Sequence, residues 1–367
     1  MSSENELGPL VRRWGLPVKQ LPSETAGLDE LTPFVASILK EALPFIDAAA
    51  PKTPSPDAKK LWKSKGSKSS PDSAAKVEVI ERVIPAKELQ TVAKELQTVA
   101  NNNGIKTKVE EETWAARLSV HEDAAQKGTA SWDEFDHSFR LEHGKTEMAF
   151  TPNVIGANEA QRWDCTGIEL NEAGQSWDRF SLVVEEMRHK VGRPFLKDRT
   201  FPVLQLSCAV KEGTSAPEIV IVSIPVPDFA TSPKANLSKE KGAQIAYYAS
   251  IERIRKLEDG KIEWLLGTAS DAAGVLPLWI QDLALPGIIW KDVPLFLGWI
   301  AKERTKTDTA AASEPAPVLP ADSAETGTEQ APQVTTGVMT EPTTAVSEGA
   351  VAEEPKTEAT AEGSSKA

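Results

Sequence analysis

Between Thr113 and Ala269 the chain repeats one device: segments with a side-chain period of two, separated by turn residues. That period belongs to half-buried strands, not helices. Trp114, Ala116, Leu118 and Val120 alternate with Ala115, Arg117, Ser119 and His121. Further strand-like stretches fall at 162–170, 179–187, 199–210, 218–226, 244–255 and 261–269. Asn171-Glu172-Ala173-Gly174 and Glu258-Asp259-Gly260 supply turns between them. After Ser270-Asp271-Ala272-Ala273-Gly274 the period becomes helical. Leu276, Trp279, Ile280 and Leu283 form one stripe; Ile289, Val293, Phe296, Leu297 and Ile300 form a second, with Pro286-Gly287 between. A long antiparallel meander followed by a broadly apolar helix predicts an α+β fold. Its curved antiparallel sheet is expected to wrap around a long C-terminal helix.

Upstream of the meander, Thr32-Pro33 reads as an N-cap with proline at the first helical position. Val35, Ile38, Leu39, Ala42, Leu43 and Ile46 recur at helical spacing. An amphipathic helix is therefore expected at about 32–48, in an N-terminal segment (1–49) that packs on the main domain. Pro44 should kink or end it. Residues 50–76 are rich in Pro, Ser and Lys and read as a basic linker. The expected role of Lys52, Lys59, Lys60, Lys63, Lys65 and Lys68 is solvation of that linker. The rival reading is transient contact with an anionic membrane, worth about 1 kcal/mol per basic residue near such a surface.

The main domain is set at 77–304. Within it, residues 87–100 repeat Lys-Glu-Leu-Gln-Thr-Val-Ala twice and place Leu89, Val92, Leu96 and Val99 on a heptad seam. Two heptads are too few for a coiled coil, so a short inserted helix is expected, starting after Pro85. Residues 305–367 hold Ala, Glu, Thr, Pro, Ser and Gly with no aromatics and read as a disordered acidic tail.

The formal charge of −13 is concentrated in that tail, where eleven acids from Lys306 onward face three lysines. The remainder is mildly acidic, which argues against nucleic acid as a partner. Two cysteines, Cys165 and Cys208, make no disulfide framework and point to a reducing compartment. The first residues lack the pattern of a secretory signal, and no uncharged apolar run reaches about 18 residues. The expectation is a cytoplasmic monomer without a membrane span.

Several stretches together resemble the fungal START-like domain of unknown function. They are Trp114-Ala115-Ala116-Arg117-Leu118-Ser119-Val120-His121, Thr129-Ala130-Ser131-Trp132-Asp133-Glu134-Phe135 and Arg199-Thr200-Phe201-Pro202-Val203-Leu204. Tyr248-Ala249-Ser250-Ile251-Glu252-Arg253 and Glu263-Trp264 continue the likeness, as does Ser270 to Trp279. The resemblance covers most of 110–304 and implies a helix-grip fold. Such a fold usually holds a lipid, sterol or other hydrophobic molecule between sheet and helix. It also implies binding, possible transfer, and neither catalysis nor a cofactor. The wider superfamily includes aromatic polyketide cyclases, so a cyclase or hydrolase in the same cavity is the second reading. A non-catalytic interaction scaffold with a filled core is the third.

Candidate residues follow. None of the four histidines is spaced as part of a metal site, and no catalytic motif stands out. Arg117, His121, His189, Arg199, Trp264 and Trp279 are the candidates for the ligand cavity, with His121 or His189 as the base in the enzymatic reading. Glu252, Arg253, Glu263 and Asp271 are charges in otherwise apolar strands or at their ends, and are expected to form ion pairs or caps. Gly287 is the candidate hinge.

Overall fold

In the computed structural model, which describes residues 7–52, 58–100, 109–190, 197–242, 244–271 and 278–313, the alternating segments pair into one sheet. Its strands are β1 (Lys63–Ser70), β2 (Ser73–Ile84), β3 (Glu112–His121), β4 (Val154–Trp163), β5 (Leu170–Glu172) and β6 (Gln175–His189). They continue as β7 (Arg199–Val210), β8 (Glu218–Pro225), β9 (Gln244–Ile245), β10 (Tyr247–Lys256) and β11 (Ile262–Asp271). The order is β1-β2-β3-β11-β10-β8-β7-β6-β4, with β5 beside β6 and β9 beside β7. All pairings are antiparallel except β7 with β9.

The helices are α1 (Leu28–Asp47), α2 (Ala58–Leu61), α3 (Ala86–Ala100), α4 (Trp132–Phe135), α5 (His143–Phe150), α6 (Leu278–Ile288) and α7 (Asp292–Ser313). A π-helical turn, Asp136–Leu141, lies between α4 and α5, and a 3-10 turn, Ile289–Lys291, joins α6 to α7.

Both faces of the sheet are covered, and the period of two decides which side chain goes where. On one face Trp114 and Ala116, Leu204 and Leu206, Val220 and Val222, and Ile251 meet Val35, Ile38, Phe45 and Ile46 of α1. On the other, Ile219, Ile221, Ile254, Ile262 and Trp264 meet Phe135, Phe139 and Phe150 and close on Val293, Phe296 and Leu297 of α7. Each of the three α7 residues is fully buried. Such burial contributes about 1.5–3 kcal/mol per side chain, so this stripe fastens the helix to the sheet. The predicted helix-in-sheet arrangement is the one observed.

The face under α1 is tied by charge as well. Arg253 of β10 donates to Asp47 at the end of α1, to the Ala50 carbonyl at 2.7 Å and to Glu263 Oε1 at 2.7 Å. Arg255 adds a 2.8 Å contact to Glu263. The residues before α1 are anchored too. Arg12 pairs with Glu112 at 3.2 Å, and Leu16 N–H donates to the Pro225 carbonyl at 2.9 Å. Gly15 makes that approach at φ +68°, where an added Cβ would fall 2.0 Å from the same oxygen.

Several boundaries differ from expectation. α1 starts at Leu28 after Gly27, not at Thr32, and runs through Pro33 and Pro44. Its buried stripe, from Leu31 to Ile46, outweighs two missing backbone donors. The stretch 50–76 is not all linker, because β1 and the start of β2 lie in it as a hairpin. β1 buries nothing, so hydrophobicity gave no signal. Backbone pairing and the Lys65–Glu81 ion pair hold it, and its lysines suit an exposed sheet edge. The terminal helix continues beyond 304 to Ser313, through an Ala-rich stretch of high helix propensity. Its break also falls downstream of Pro286-Gly287, at Ile289–Lys291. The heptad segment is helical as predicted, with Leu89 and Ala93 buried. The side chains of Leu96 and Val99, and the tail from 314, lie outside the described residues.

Among the described residues, Ala284–Lys306 is long and apolar enough to cross a membrane by length and composition alone. It interrupts its apolar run with Lys291 and Asp292, and here it supplies the stripe that closes the sheet.

Candidate functional site

The strand residues that share a face with Trp264 end, farther along each strand, in a cavity of ≈ 460 Å³. Its floor comes from Arg117 of β3, Leu266, Thr268 and Ser270 of β11, Tyr248, Ser250 and Glu252 of β10, and Ile221 and Ser223 of β8. Phe201 and His189 close one side, and His143, Glu147 and Phe150 of α5 another. The cover is Leu285 and Ile288 of α6, the connecting turn, and Asp292 and Leu295 of α7. Ile288 is 51% exposed and marks the solvent rim.

Arg117 is the central charge. It is 2% exposed and its guanidinium lies 4.0 Å from the Trp264 ring centroid. Its Nη2 donates to Glu252 Oε1 at 3.2 Å, and its Nε stands 3.7 Å from Asp292 Oδ2. Trp264 Nε1 donates to the same Glu252 oxygen at 2.6 Å. Burial pushes the Asp292 carboxyl up to about 6, with Arg117 opposing.

A second group forms on α5. His143 and Glu147 lie one helical turn apart, with Nδ1 3.9 Å from Glu147 Oε2, 3.9 Å from Glu185 Oε2 and 3.1 Å from Gln205 Nε2. Burial disfavours the imidazolium, yet the carboxylates of Glu185 and Glu147 outweigh it and raise His143 to about 9. Burial raises Glu147 to about 7, against the pull of His143. Burial also lifts the Tyr248 phenol well above its usual range, leaving a neutral hydroxyl. A second cavity, ≈ 570 Å³, lies beyond His143 against β4, β6 and β7. Among the described residues no group of three or more His, Cys, Asp or Glu side chains is placed to hold a metal.

The candidates named from sequence divide sharply. Arg117 and His189 line the cavity. His189 packs edge-on to Phe201 with centroids 5.0 Å apart, and burial lowers it to about 4. His121 lies outside the lining. Its Nε2 is 2.8 Å from Ser119 Oγ, its ring sits near Phe135 and Trp264, and burial, then Arg117, lower it to about 4. Trp264 is core beneath Arg117 and not a wall of the cavity. Arg199 is buried and donates to the Lys197 carbonyl, away from the lining. The side chain of Trp279 lies outside the described residues.

The expected ion pairs split by strand parity. Arg253 and Glu263 are paired under α1, whereas Glu252 pairs with Arg117 and faces the cavity. Asp271 ends β11 opposite Tyr247. Gly287 is exposed in α6, with nothing within 4 Å of an added Cβ. Of the basic residues, Lys52 pairs with Glu218 at 2.9 Å and Lys65 with Glu81 at 2.7 Å. Lys59's side chain lies outside the described residues. Sequence reasoning missed His143, Glu147, Tyr248 and Asp292. Only the four-residue step from His143 to Glu147 carried a local signal.

These features define a helix-grip protein with a partly polar cavity between a sheet and its C-terminal helices. Residues 114–300 match the family described as "Protein of unknown function (DUF3074)", and the chain belongs to that family. No curated protein is significantly similar in sequence. Among solved structures, the crystal structure of human STARD10 is similar at 12% identity, covering 72% of this chain and 88% of that one at a TM-score of 0.40. The human StarD13 (DLC2) lipid transfer and protein localization domain is similar at 13% identity, covering 64% and 87% at 0.37. Human StAR-related lipid transfer protein 5 is similar at 12%, covering 66% and 88% at 0.36. The fold assignment rests on the chain's own strand order and helix placement.

Proposed function

We propose that this protein binds a hydrophobic small molecule, of lipid or sterol type, in the cavity between the sheet and α6–α7, and does no chemistry on it. The observation that supports this reading is the lining itself. Phe139, Phe150, Leu266, Leu285, Ile289 and Leu295 supply apolar walls, and polar side chains, Arg117, Tyr248, Glu252 and Asp292 among them, share the lining. That division suits ligand sites generally. Removing apolar area from water contributes about 25 cal/mol per Å², and the polar groups of the lining orient the guest. Release requires α6 to swing, with Gly287 and the turn Ile289–Lys291 as the place that bends.

The enzymatic reading needs a neutral histidine of useful basicity facing the cavity. His143, held near 9, carries its proton at neutral pH, and His189, near 4, is a weak base. Neither histidine suits a neutral base, so an enzymatic role would fall to Glu147 or Asp292, which burial raises to about 7 and about 6; binding is preferred on the apolar walls of the lining. Native mass spectrometry of the protein from its own type of cell tests it, followed by extraction. A reproducible small-molecule adduct is the expected result. An apo mass with no uptake from a lipid mixture would overturn the reading. Deleting residues 306–367 should leave uptake intact; a scaffold acting through that tail would lose its partner instead.

A further inference from the structure

The second cavity, against β4, β6 and β7, is shaped by three departures from regular structure. β6 is bulged between Asp178 and Ser181, and Arg179 sits there at φ +52°, a strained left-handed conformation for an arginine. Only alternate side chains of a regular strand share a face, yet Arg179, Phe180 and Ser181 all line this cavity. β4 is bulged between Glu159 and Gln161, and Ala157, Asn158 and Glu159 all line it too. The π-helical turn Asp136–Leu141 contributes Arg140 and Leu141. Bulges and π-helical turns gather at functional sites, where they re-aim side chains. Three of them border this one cavity.

Its charges are already matched. Arg140 forks onto Asp136 with two bonds of 2.6 Å, and Arg162 onto Glu159 with bonds of 2.8 and 2.5 Å. Lys145 pairs with Glu142 at 2.5 Å and Arg179 with Glu212 at 2.8 Å. His143, the wall shared with the first cavity, stands 3.9 Å from Glu185. A phosphate would have to take an arginine from its acid, and an ammonium would have to take an acid from its cation. Either exchange strands a charge. A hydroxyl strands none, because it accepts from the cation of such a pair while donating to the acid. Phe180 and Val183, 9% and 5% exposed, add an apolar floor that suits the C–H face of a ring.

We propose that this second cavity binds an uncharged polyhydroxyl ring, a sugar or a cyclitol, whose hydroxyls bridge the Arg162–Glu159 and Lys145–Glu142 pairs over Phe180. At about 30 Å³ per water-sized group, a ring of about twelve non-hydrogen atoms needs at most about 360 Å³, within the ≈ 570 Å³ present. The ring can arrive free, or as the head of an amphiphile whose apolar body passes His143 into the first cavity. The site therefore goes beyond the binding of a hydrophobic guest and stands without it.

The test uses the full chain and two sets of probes, with affinities read by ligand-observed NMR and competition. One set is the methyl glycosides of glucose, galactose and mannose, with myo-inositol. The other is the three matching octyl glycosides, with octanol, octyl phosphate and octylamine as controls. The expected result is at least one polyhydroxyl probe bound ~10-fold more tightly than its matched control, the fold-change of about one net hydrogen bond. Methyl and octyl glycosides of equal affinity identify a free ring; a gain from the octyl chain identifies a head group; both support the site. Arg162→Met, at a side chain 54% exposed on the edge strand, should weaken the polyhydroxyl probe ~10-fold and leave octanol unchanged. Should that variant not fold, Ser207→Val on β7 reads the same loss from the opposite wall. A preference for octyl phosphate or octylamine overturns the proposal, as does an affinity that neither substitution changes. Octanol bound as tightly as every octyl glycoside, with no methyl glycoside or inositol bound, overturns it and leaves the hydrophobic cavity standing. Polyhydroxyl binding without any uptake of octanol upholds this site and counts against the other.

Discussion

Arg253→Met isolates the face of the sheet that does not touch the cavity. Arg253 is fully buried and holds Asp47, Glu263 and the Ala50 carbonyl together. Removing one partner of a buried ion pair costs about 3–5 kcal/mol. Two features reduce that here. Glu263 keeps Arg255 at 2.8 Å, and the Asp47 side chain is 28% exposed, so water reaches it. Loss of the donor to Ala50 adds about 1 kcal/mol. The net expectation is a loss of about 2–4 kcal/mol, or roughly 10 °C in Tm at ~2–4 °C per kcal/mol for a domain of this size. Guanidinium and thermal unfolding followed by tryptophan fluorescence measure it. The double variant Arg253→Met, Asp47→Asn should recover part of the loss, because the stranded acid is gone. Ligand uptake should be unchanged in the folded variant. A loss below ~0.5 kcal/mol would refute the claim that this arginine fastens α1. A fall in uptake would refute the separation of the two faces.

Three further outcomes follow from the same packing. Glu41 accepts from the Leu10 and Val11 amides, and burial raises its pKa to about 7 from 4.5. A carboxyl raised on folding stabilises below its unfolded pKa and loses that contribution as pH rises through the folded value. The stability of Glu41→Gln relative to wild type should therefore grow by about 3 kcal/mol between pH 4 and 8, and a flat difference in chemical unfolding sinks the assignment. Phe296→Ala should lose about 3–5 kcal/mol, since the ring is fully buried among Phe135, Phe139, Phe150 and Trp264; a calorimetric change under ~1 kcal/mol argues against α7 as the core helix. Gly287→Ala should stabilise α6 by about 0.5–1 kcal/mol and slow ligand exchange, and an unchanged rate in stopped flow removes Gly287 as the hinge.

The architecture was legible because the strands bury two faces with different partners and so keep their period clear. β7 spans the residues predicted from sequence, and β3 begins within one position. β1 was not legible, because it buries nothing and its lysines look like linker. α1 was legible by its stripe but not by its ends, since Pro33 and Pro44 read as boundaries until tertiary burial is counted. At the site, Arg117 was legible as a polar residue on the strand face opposite Trp114. Asp292 and His143 did not, because each lies on a helix that meets the sheet only through the fold. Trp264 misled: a tryptophan on the last strand suggested ligand contact, but its indole N–H is used by Glu252 and its face by Arg117.

Glu252 and Arg253 are neighbours in sequence and opposites in role. One faces Arg117 and the cavity, the other α1 and Asp47. Because side chains alternate strictly along a strand, a slip of one residue in β10 would exchange them. It would place a second cation against Arg117 and a carboxylate against Asp47. The register of β10 is held on both sides, from Lys256 opposite Ile262 on β11 and from Arg255 opposite Glu218 on β8. The two buried pairs therefore specify the same register that the apolar residues do, each by making the alternative electrostatically unfavourable. The face under α1, with its filled core and the Arg253 ion pairs, thereby fixes the strands that present the cavity on the other side.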